Sequence, residues 1–156
     1  MPNIVLTRID NRLVHGQVGA SWTSAIGANL IVVADDEAAE DKMQQAVMKM
    51  TADTVNVGIR FFSIQKTIDV IQNASPNQKI FLVVKEPCFA RKLLDGGVPI
   101  DKLNIGNMHV QPGKKVHGEP HVYLGEQDLD DLRYIRSKGV DVYIQIAPGD
   151  KKYDFE

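Results

Sequence analysis

Short runs of β-branched and aliphatic residues recur along this chain, each set off from the next by an amphipathic stretch or a loop. The runs are NIVLTRI (Asn3–Ile9), NLIVVA (Asn29–Ala34), VNVGIRFF (Val55–Phe62), KIFLVV (Lys79–Val84), KLNI (Lys102–Ile105) and VDVYIQIA (Val140–Ala147). Several are continuous rather than alternating, which marks strands covered on both faces. Between them, Val18, Trp22, Ala25 and Ile26 fall on one helical face, which Gly27 ends. Ala39, Met43, Ala46, Val47 and Met50 form a second stripe, with Glu37, Glu40 and Asp41 suited to its N-terminal end. This stripe and Trp22 are expected in the core. Ser63 can cap a third helix carrying Ile64, Ile68 and Ile71. Pro87 suits the first turn of a fourth, stopped at Gly96-Gly97, and Leu129 and Leu132 belong to a fifth that ends at Gly139. Such alternation predicts an α/β fold: a mainly parallel, doubly wound sheet with helices on both faces. The stretch Gly106–Gly125 breaks the rhythm with glycines, prolines and three histidines, and predicts a loop plus a short hairpin.

At 156 residues, 44% of them apolar, the chain can bury a core without disulfides, and residues 1–156 are expected to form one domain. A net charge of −2 argues against nucleic acid or an anionic membrane surface as partner. Cys88 is the only cysteine, which excludes an internal disulfide and suits a reducing cytosol. No signal peptide is expected, and LIVVA and IFLVV are too short to span a bilayer. A cytoplasmic protein is therefore predicted. The chain has no Gly-x-Gly-x-x-Gly after its first strand, no Gly-x-x-x-x-Gly-Lys-Ser/Thr and no Gly-x-Ser-x-Gly, so nucleotide-dependent and serine-hydrolase chemistry are not expected.

Open α/β sheets carry their chemistry on loops at the carboxyl ends of the strands. The first such loop lies in TRIDNRLVHGQV, Thr7 to Val18. Gly16 falls at the predicted start of the first helix, where unpaired N–H groups and the helix dipole make an anion site. Arg12 adds a guanidinium fork suited to phosphate oxygens. His15 supplies the loop's one imidazole, the side-chain type that serves as nucleophile and proton carrier in neutral solution. Asp10 could orient the imidazole or steer Arg12. The residues alone also allow a plain reading, with His15 solvated and the arginines in surface ion pairs. Of the other candidates, His117 and His121 are separated by Gly118 and Pro120, which argues against a metal site, and His109 adds no ligand spacing. Gly106, Asn107 and Met108 either line the same sheet edge as His15 or form a turn. Lys114-Lys115 reads as a solvated tip or as a contact for an acidic partner, Cys88 as packing, and Phe61 and Phe62 as one ring to each sheet face.

The segment RIDNRLVHGQV (Arg8–Val18) closely resembles the active-site signature of the IIB components of the mannose/sorbose family of the bacterial phosphoenolpyruvate-dependent sugar phosphotransferase system. The resemblance continues in order through GANLIVVADDEAAED, GIRFFSIQKTIDVI, KIFLVVKEP, GGVPIDKLNIGNMH and GVDVYIQIAPGD, nearly the whole chain. RFFSIQKTI and NIGNMH look most like the branch that handles N-acetylgalactosamine or galactosamine. The resemblance implies that His15 accepts a phosphoryl group from a phosphohistidine of the IIA component. His15 would pass it to the sugar presented by the membrane IIC and IID components, the activity of a protein-Nπ-phosphohistidine–sugar phosphotransferase. It implies that Arg12 and the amides of Gly16 and Gln17 hold the phosphoryl oxygens while Asp10 orients the charges. It implies no cofactor and no metal, and a cytoplasmic protein held at the membrane through the permease. Where the family often has a second aspartate, this chain has Asn11, which is left out of the site. A homodimer is compatible with the sequence but not called for by it. Two other readings use the same loop: a regulatory module that binds a phosphorylated partner or sugar phosphate without turnover, and an isomerase or lyase with His15 as general base.

Overall fold

The computed structural model describes residues 2–156. Its elements run β1 (Asn3–Asp10), α1 (Gly16–Ala25), β2 (Leu30–Ala34), α2 (Asp36–Glu40), α3 (Lys42–Thr54), β3 (Gly58–Phe62), α4 (Ile64–Val70) with a following 3-10 turn (Ile71–Asn73), and β4 (Lys79–Val84). They continue with α5 (Pro87–Asp95), β5 (Lys102–Asn107), the hairpin β6 (Lys115–His117) and β7 (Glu119–Leu124), α6 (Glu126–Ser137), β8 (Asp141–Ile144) and β9 (Tyr153–Asp154). The main sheet has the order β3-β2-β4-β1-β5-β8-β9. All its pairings are parallel except β8 with β9. The doubly wound α/β fold expected from the alternation is the fold observed.

Strand order locates the crevice. The chain leaves β1 toward β2 on one side and leaves β5 toward β8 on the other, so the loops after these two neighbours diverge. That divergence opens the sheet edge above the carboxyl ends of β1 and β5.

The two faces separate residue by residue. In β2 and β4, Leu30, Val32, Ala34, Ile80, Leu82 and Val84 point to one core, with Ala90 and Leu93 of α5 and Leu132 and Ile135 of α6. Ile31, Val33, Phe81 and Val83 point to the other, with Trp22 of α1 and Met48 and Ala52 of α3. Period-2 alternation therefore operates inside runs that are apolar throughout, because both faces are covered. Phe62 and Phe61 join the first and second core respectively, one ring to each face.

Local signals place the helix ends as expected at Ser63, whose hydroxyl accepts from the Lys66 N–H at 3.0 Å, and at Pro87, in the first turn of α5. The Met43–Met50 stripe departs from expectation. Its three large members are exposed rather than buried: Met43, Val47 and Met50 at 79%, 60% and 68%. Asp41 also interrupts the predicted helix: its carboxylate accepts the N–H groups of Met43 and Gln44, both at 3.1 Å. It starts a new helix and splits the predicted one into α2 and α3. Within α3 the face that carries Met48 and Ala52 meets the sheet, and 43, 47 and 50 lie on the other face, outside.

Two strand boundaries also shift. The run from Val55 pairs only from Gly58, because Val55 closes α3 and Asn56 turns the chain at φ +56°. The last long run pairs only to Ile144, after which the Gln145 amide donates to the carbonyls of Pro148 and Asp150 and the chain returns as β9. Lys114 is no solvated tip. Its ammonium lies 2.9 Å from Asp128 at the start of α6, tying the hairpin to that helix, while Lys115 is exposed.

Candidate functional site

The last residues of β1 build the site. Arg8 and Asp10 sit two apart and so emerge on the same face of the strand, the α1/α3 face. Both are 2% exposed. A carboxylate at that depth must be paired, and Asp10 is. Its Oδ1 accepts from the backbone N–H of Arg12 at 2.9 Å and from Arg12 Nε at 3.2 Å. Its Oδ2 accepts from Arg12 Nη2 and from Arg8 Nη2, both at 3.3 Å. The contacts with the Arg12 side chain form a fork on the carboxylate, which fixes the plane of the guanidinium. The Arg12 side chain remains 37% exposed, so its outer edge faces the crevice.

Behind this pair lies a second layer of polar contacts. Arg8 Nη1 donates to Asn104 Oδ1 at 2.5 Å and to the Gln145 carbonyl at 3.1 Å. Its guanidinium stands 5.1 Å from the centre of the Trp22 ring, whose own N–H donates to the Ile146 carbonyl at 2.9 Å. Burial pulls the Arg8 pKa below its ordinary value and Asp10 acts against that shift. Arginine stays protonated in proteins all the same. Gly106 on β5 makes room for it: a Cβ there would fall 2.0 Å from Arg8 Cζ.

Past Asp10 the chain turns sharply. The Leu13 N–H donates to the Asp10 carbonyl at 2.8 Å, and Leu13 takes φ +61°, a left-handed conformation uncommon outside glycine. Leu13 and Val14 are buried in the α1/α3 core, and that anchoring leaves His15 and Gly16 at the surface. His15 caps α1 with its backbone only: its carbonyl accepts from the Gly19 N–H at 3.1 Å, and its side chain makes no cap bond. Among the described residues none hydrogen-bonds its imidazole. Asp10, which could have oriented either the imidazole or Arg12, orients Arg12. Gly16 opens α1 at φ +50°, and a Cβ there would meet open space, so its conformation and not crowding favours glycine.

Two shallow cavities flank the loop. One of about 200 Å³ lies between Arg12, His15 and the Met43–Val47 side of α3, and one of about 430 Å³ between Gly16, Gln17 and Met50. The exposed apolar side chains of α3 thus rim the histidine.

Of the five residues singled out in the loop, Asp10 is bonded to Arg12, Arg12 and His15 share one cavity, and Gly16 and Gln17 line the other. Of the β5 residues, Asn107 joins them, its side-chain amide donating to Asn11 Oδ1 at 2.6 Å, and the Asn11 amide meets His109. Asn11, set aside in the sequence reading, is therefore the tie between the β1 and β5 loops. Met108 is buried, which favours packing over lining. Among the described residues no group of three or more metal-ligating side chains converges. Cys88 is half-buried, and burial, then Glu86 and Asp131, push its thiol up, away from a nucleophilic thiolate. Arg8, Asn104 and Trp22 lie outside the site expected from the sequence, although the two-residue spacing of Arg8 and Asp10 on a strand signals that they share a face.

A buried carboxylate-clamped arginine, an exposed histidine and a helix N-terminus on one loop of a doubly wound sheet define a phosphoryl-handling protein. The chain belongs to the PTS system sorbose subfamily IIB component family, whose profile it matches over residues 4–156. It is 58% identical over 151 residues to the N-acetylgalactosamine-specific phosphotransferase enzyme IIB component 1 of Escherichia coli K12, covering 97% of this chain and 95% of that protein. The crystal structure of the E. coli N-acetylgalactosamine-specific IIB component 1 superposes with TM-score 0.95 at 56% identity, covering 99% of this chain and all of that one. That of an N-acetylgalactosamine IIB component from Streptococcus pyogenes superposes with TM-score 0.91 at 42% identity, covering 99% and 96%. Membership makes the chain a phosphotransferase of the sugar phosphotransferase system, a component that works with IIA and membrane components. Among the described residues no helix is long and apolar enough to cross a membrane.

Proposed function

We propose that His15 is the phosphocarrier: it takes a phosphoryl group from a phosphohistidine of IIA and passes it to an amino sugar imported by the IIC/IID permease. The sugar class rests on relatives named for N-acetylgalactosamine. Residues 1–156 act as one IIB domain, in the cytoplasm at the inner face of the membrane through contact with the permease.

One observation carries the reading. An imidazole with no side-chain partner among the described residues sits at the N-terminus of α1, on the same small cavity as an arginine whose fork is already fixed by a buried carboxylate. Phosphoryl transfer between nitrogen nucleophiles proceeds through a loose transition state, so alignment and neutralisation of the equatorial oxygens are most of the catalysis. A lone pair of the His15 ring attacks phosphorus as the bond to the donor imidazole breaks. Arg12 meets the equatorial oxygens with a guanidinium that need not reorganise, and the Gly16 and Gln17 N–H groups add dipoles. In the second step a sugar hydroxyl oxygen attacks phosphorus, the His15 imidazole leaves with the bonding pair, and the hydroxyl proton ends on the ring nitrogen thus freed. The exposed Met43 and Val47 beside the ring fit a protein partner that covers it and keeps water from the phosphoramidate.

The test is phosphoryl transfer from phosphoenolpyruvate through the general phosphotransferase proteins and a cognate IIA, read by intact mass. Wild type gains one acid-labile phosphate and His15→Ala gains none. A stable absence of phosphate on wild type, with phospho-IIA proven present, sinks the carrier role and favours a module that only binds anions.

A further inference from the structure

We propose that Arg8 is a positioning residue for phosphoryl binding: it shares the buried Asp10 carboxylate with Arg12, so that Asp10 fixes the Arg12 fork without cancelling the charge Arg12 presents. The inference rests on the reading of His15 as the carrier.

The geometry makes the case in three steps. Asp10 alone would orient Arg12, but a carboxylate clamped on a single guanidinium forms a neutral pair with little left for an incoming anion. Here Oδ2 is divided between Arg12 and Arg8, and the trio of two cations and one anion keeps one positive charge. Arg8 itself is 2% exposed and meets the crevice through Asp10, so it acts through the carboxylate rather than on the phosphoryl group.

Stability does not explain the arrangement. Burying a guanidinium costs several kcal/mol of hydration, and buried ion pairs are often replaceable by apolar residues without loss. The adjacent Ile9 and the β5 residues Leu103 and Ile105 show that the same strands carry such residues on the opposite face. On this face the molecule instead supplies Arg8 with a dedicated housing: the Asn104 amide oxygen, the Gln145 carbonyl, the Trp22 ring and the gap at Gly106. That housing holds the cation in a single place, at fixed distance behind Asp10.

Three variants separate positioning from packing. Arg8→Met deletes the cation, Asn104→Asp leaves Arg8 in place and cancels its charge, and Arg8→Lys keeps a charge but loses the fork. Each is checked for folding by the dispersion of its amide NMR spectrum and by melting temperature. Folded protein is then titrated with inorganic phosphate, followed on the Gly16 and Gln17 amides, and assayed for uptake from phospho-IIA. The expected result is phosphate affinity weaker by on the order of tenfold in Asn104→Asp and Arg8→Met, the effect of one charge several ångströms away in a partly screened site. The kcat for uptake falls with it at unchanged KM for the chain, since docking is untouched, and Arg8→Lys recovers part of both. A folded Asn104→Asp, or a folded Arg8→Met, that melts lower yet binds phosphate and turns over like wild type overturns the proposal and leaves His15 as carrier intact. Wild type that takes no phosphoryl group on His15 overturns the carrier reading itself, and the proposal with it.

Discussion

The two faces of the sheet are built from the same strands and do different work. Toward α4, α5 and α6, the inward positions of β1 and β5 are Ile9, Leu103 and Ile105, all fully covered and part of one continuous apolar core. One residue away, toward α1 and α3, the inward positions are Arg8, Asp10 and Asn104, equally buried and joined by hydrogen bonds. The contrast teaches where a small domain can house a charged site. Apolar burial on one face supplies stability, at about 1.5–3 kcal/mol for each fully covered aliphatic side chain. The other face can then give its central positions to ionic groups whose net contribution to stability is small.

If the faces divide labour in this way, changes on each should leave the other's property alone. The largest effect falls on His15→Ala, which should abolish phosphoryl uptake while leaving the melting temperature near wild type, since the side chain is exposed and unpartnered. Next, Arg12→Gln should slow uptake by about 100-fold, the usual size for removing one preorganised donor at developing charge, measured as kcat under saturating phospho-IIA. On the apolar face, Leu103→Ala should lower unfolding free energy by about 2–5 kcal/mol in denaturant titrations. Its transfer rate per folded molecule should stay unchanged. A drop in that rate would show that the two faces are coupled. Val47→Glu, on the exposed rim, should shift stability by less than about 0.5 kcal/mol and raise the KM for uptake several-fold.

The smallest effect concerns pH. Hydrogen bonds from Gln44, backbone first, hold the Asp41 carboxyl below its ordinary range. Its capping contribution is therefore present above the ordinary aspartate pKa and is lost as pH falls through the lower folded value. Asp41→Asn should remove that dependence, so that melting curves of variant and wild type converge on acidification. Because Asp41 is only partly covered, solvent screens the effect and it should be small.

Much of this was legible in the chain. Continuous aliphatic runs between amphipathic stretches gave the parallel sheet, because strands buried on both faces have no polar side to show. The loop residues Asp10 to Gln17 were legible because their chemistry is compressed into a few positions. Three things were not. The split at Asp41 depends on whether a carboxylate takes local N–H groups or lies along a helix, which spacing alone leaves open. The exposure of Met43, Val47 and Met50 is the second, since helical spacing shows that they share a face and not which face the sheet covers. The roles of Asn104 and Gly106 exist only once β5 lies beside β1, and no local signal in KLNIG announces an arginine from a strand ninety-six residues earlier. Arg8 sat in plain view, but its side chain became part of the site only when burial left it Asp10 as its anionic partner.

The most direct test of the account is the position of the phosphoryl group. The chain has four histidines, His15, His109, His117 and His121, and all are chemically competent. Protein phosphorylated through IIA should be digested at neutral to alkaline pH and sequenced by electron-transfer fragmentation, which preserves phosphoramidates. Phosphate is expected on the fragment ion that contains His15 and on none of the others. Phosphate on His109, His117 or His121 with His15 unmodified would contradict it.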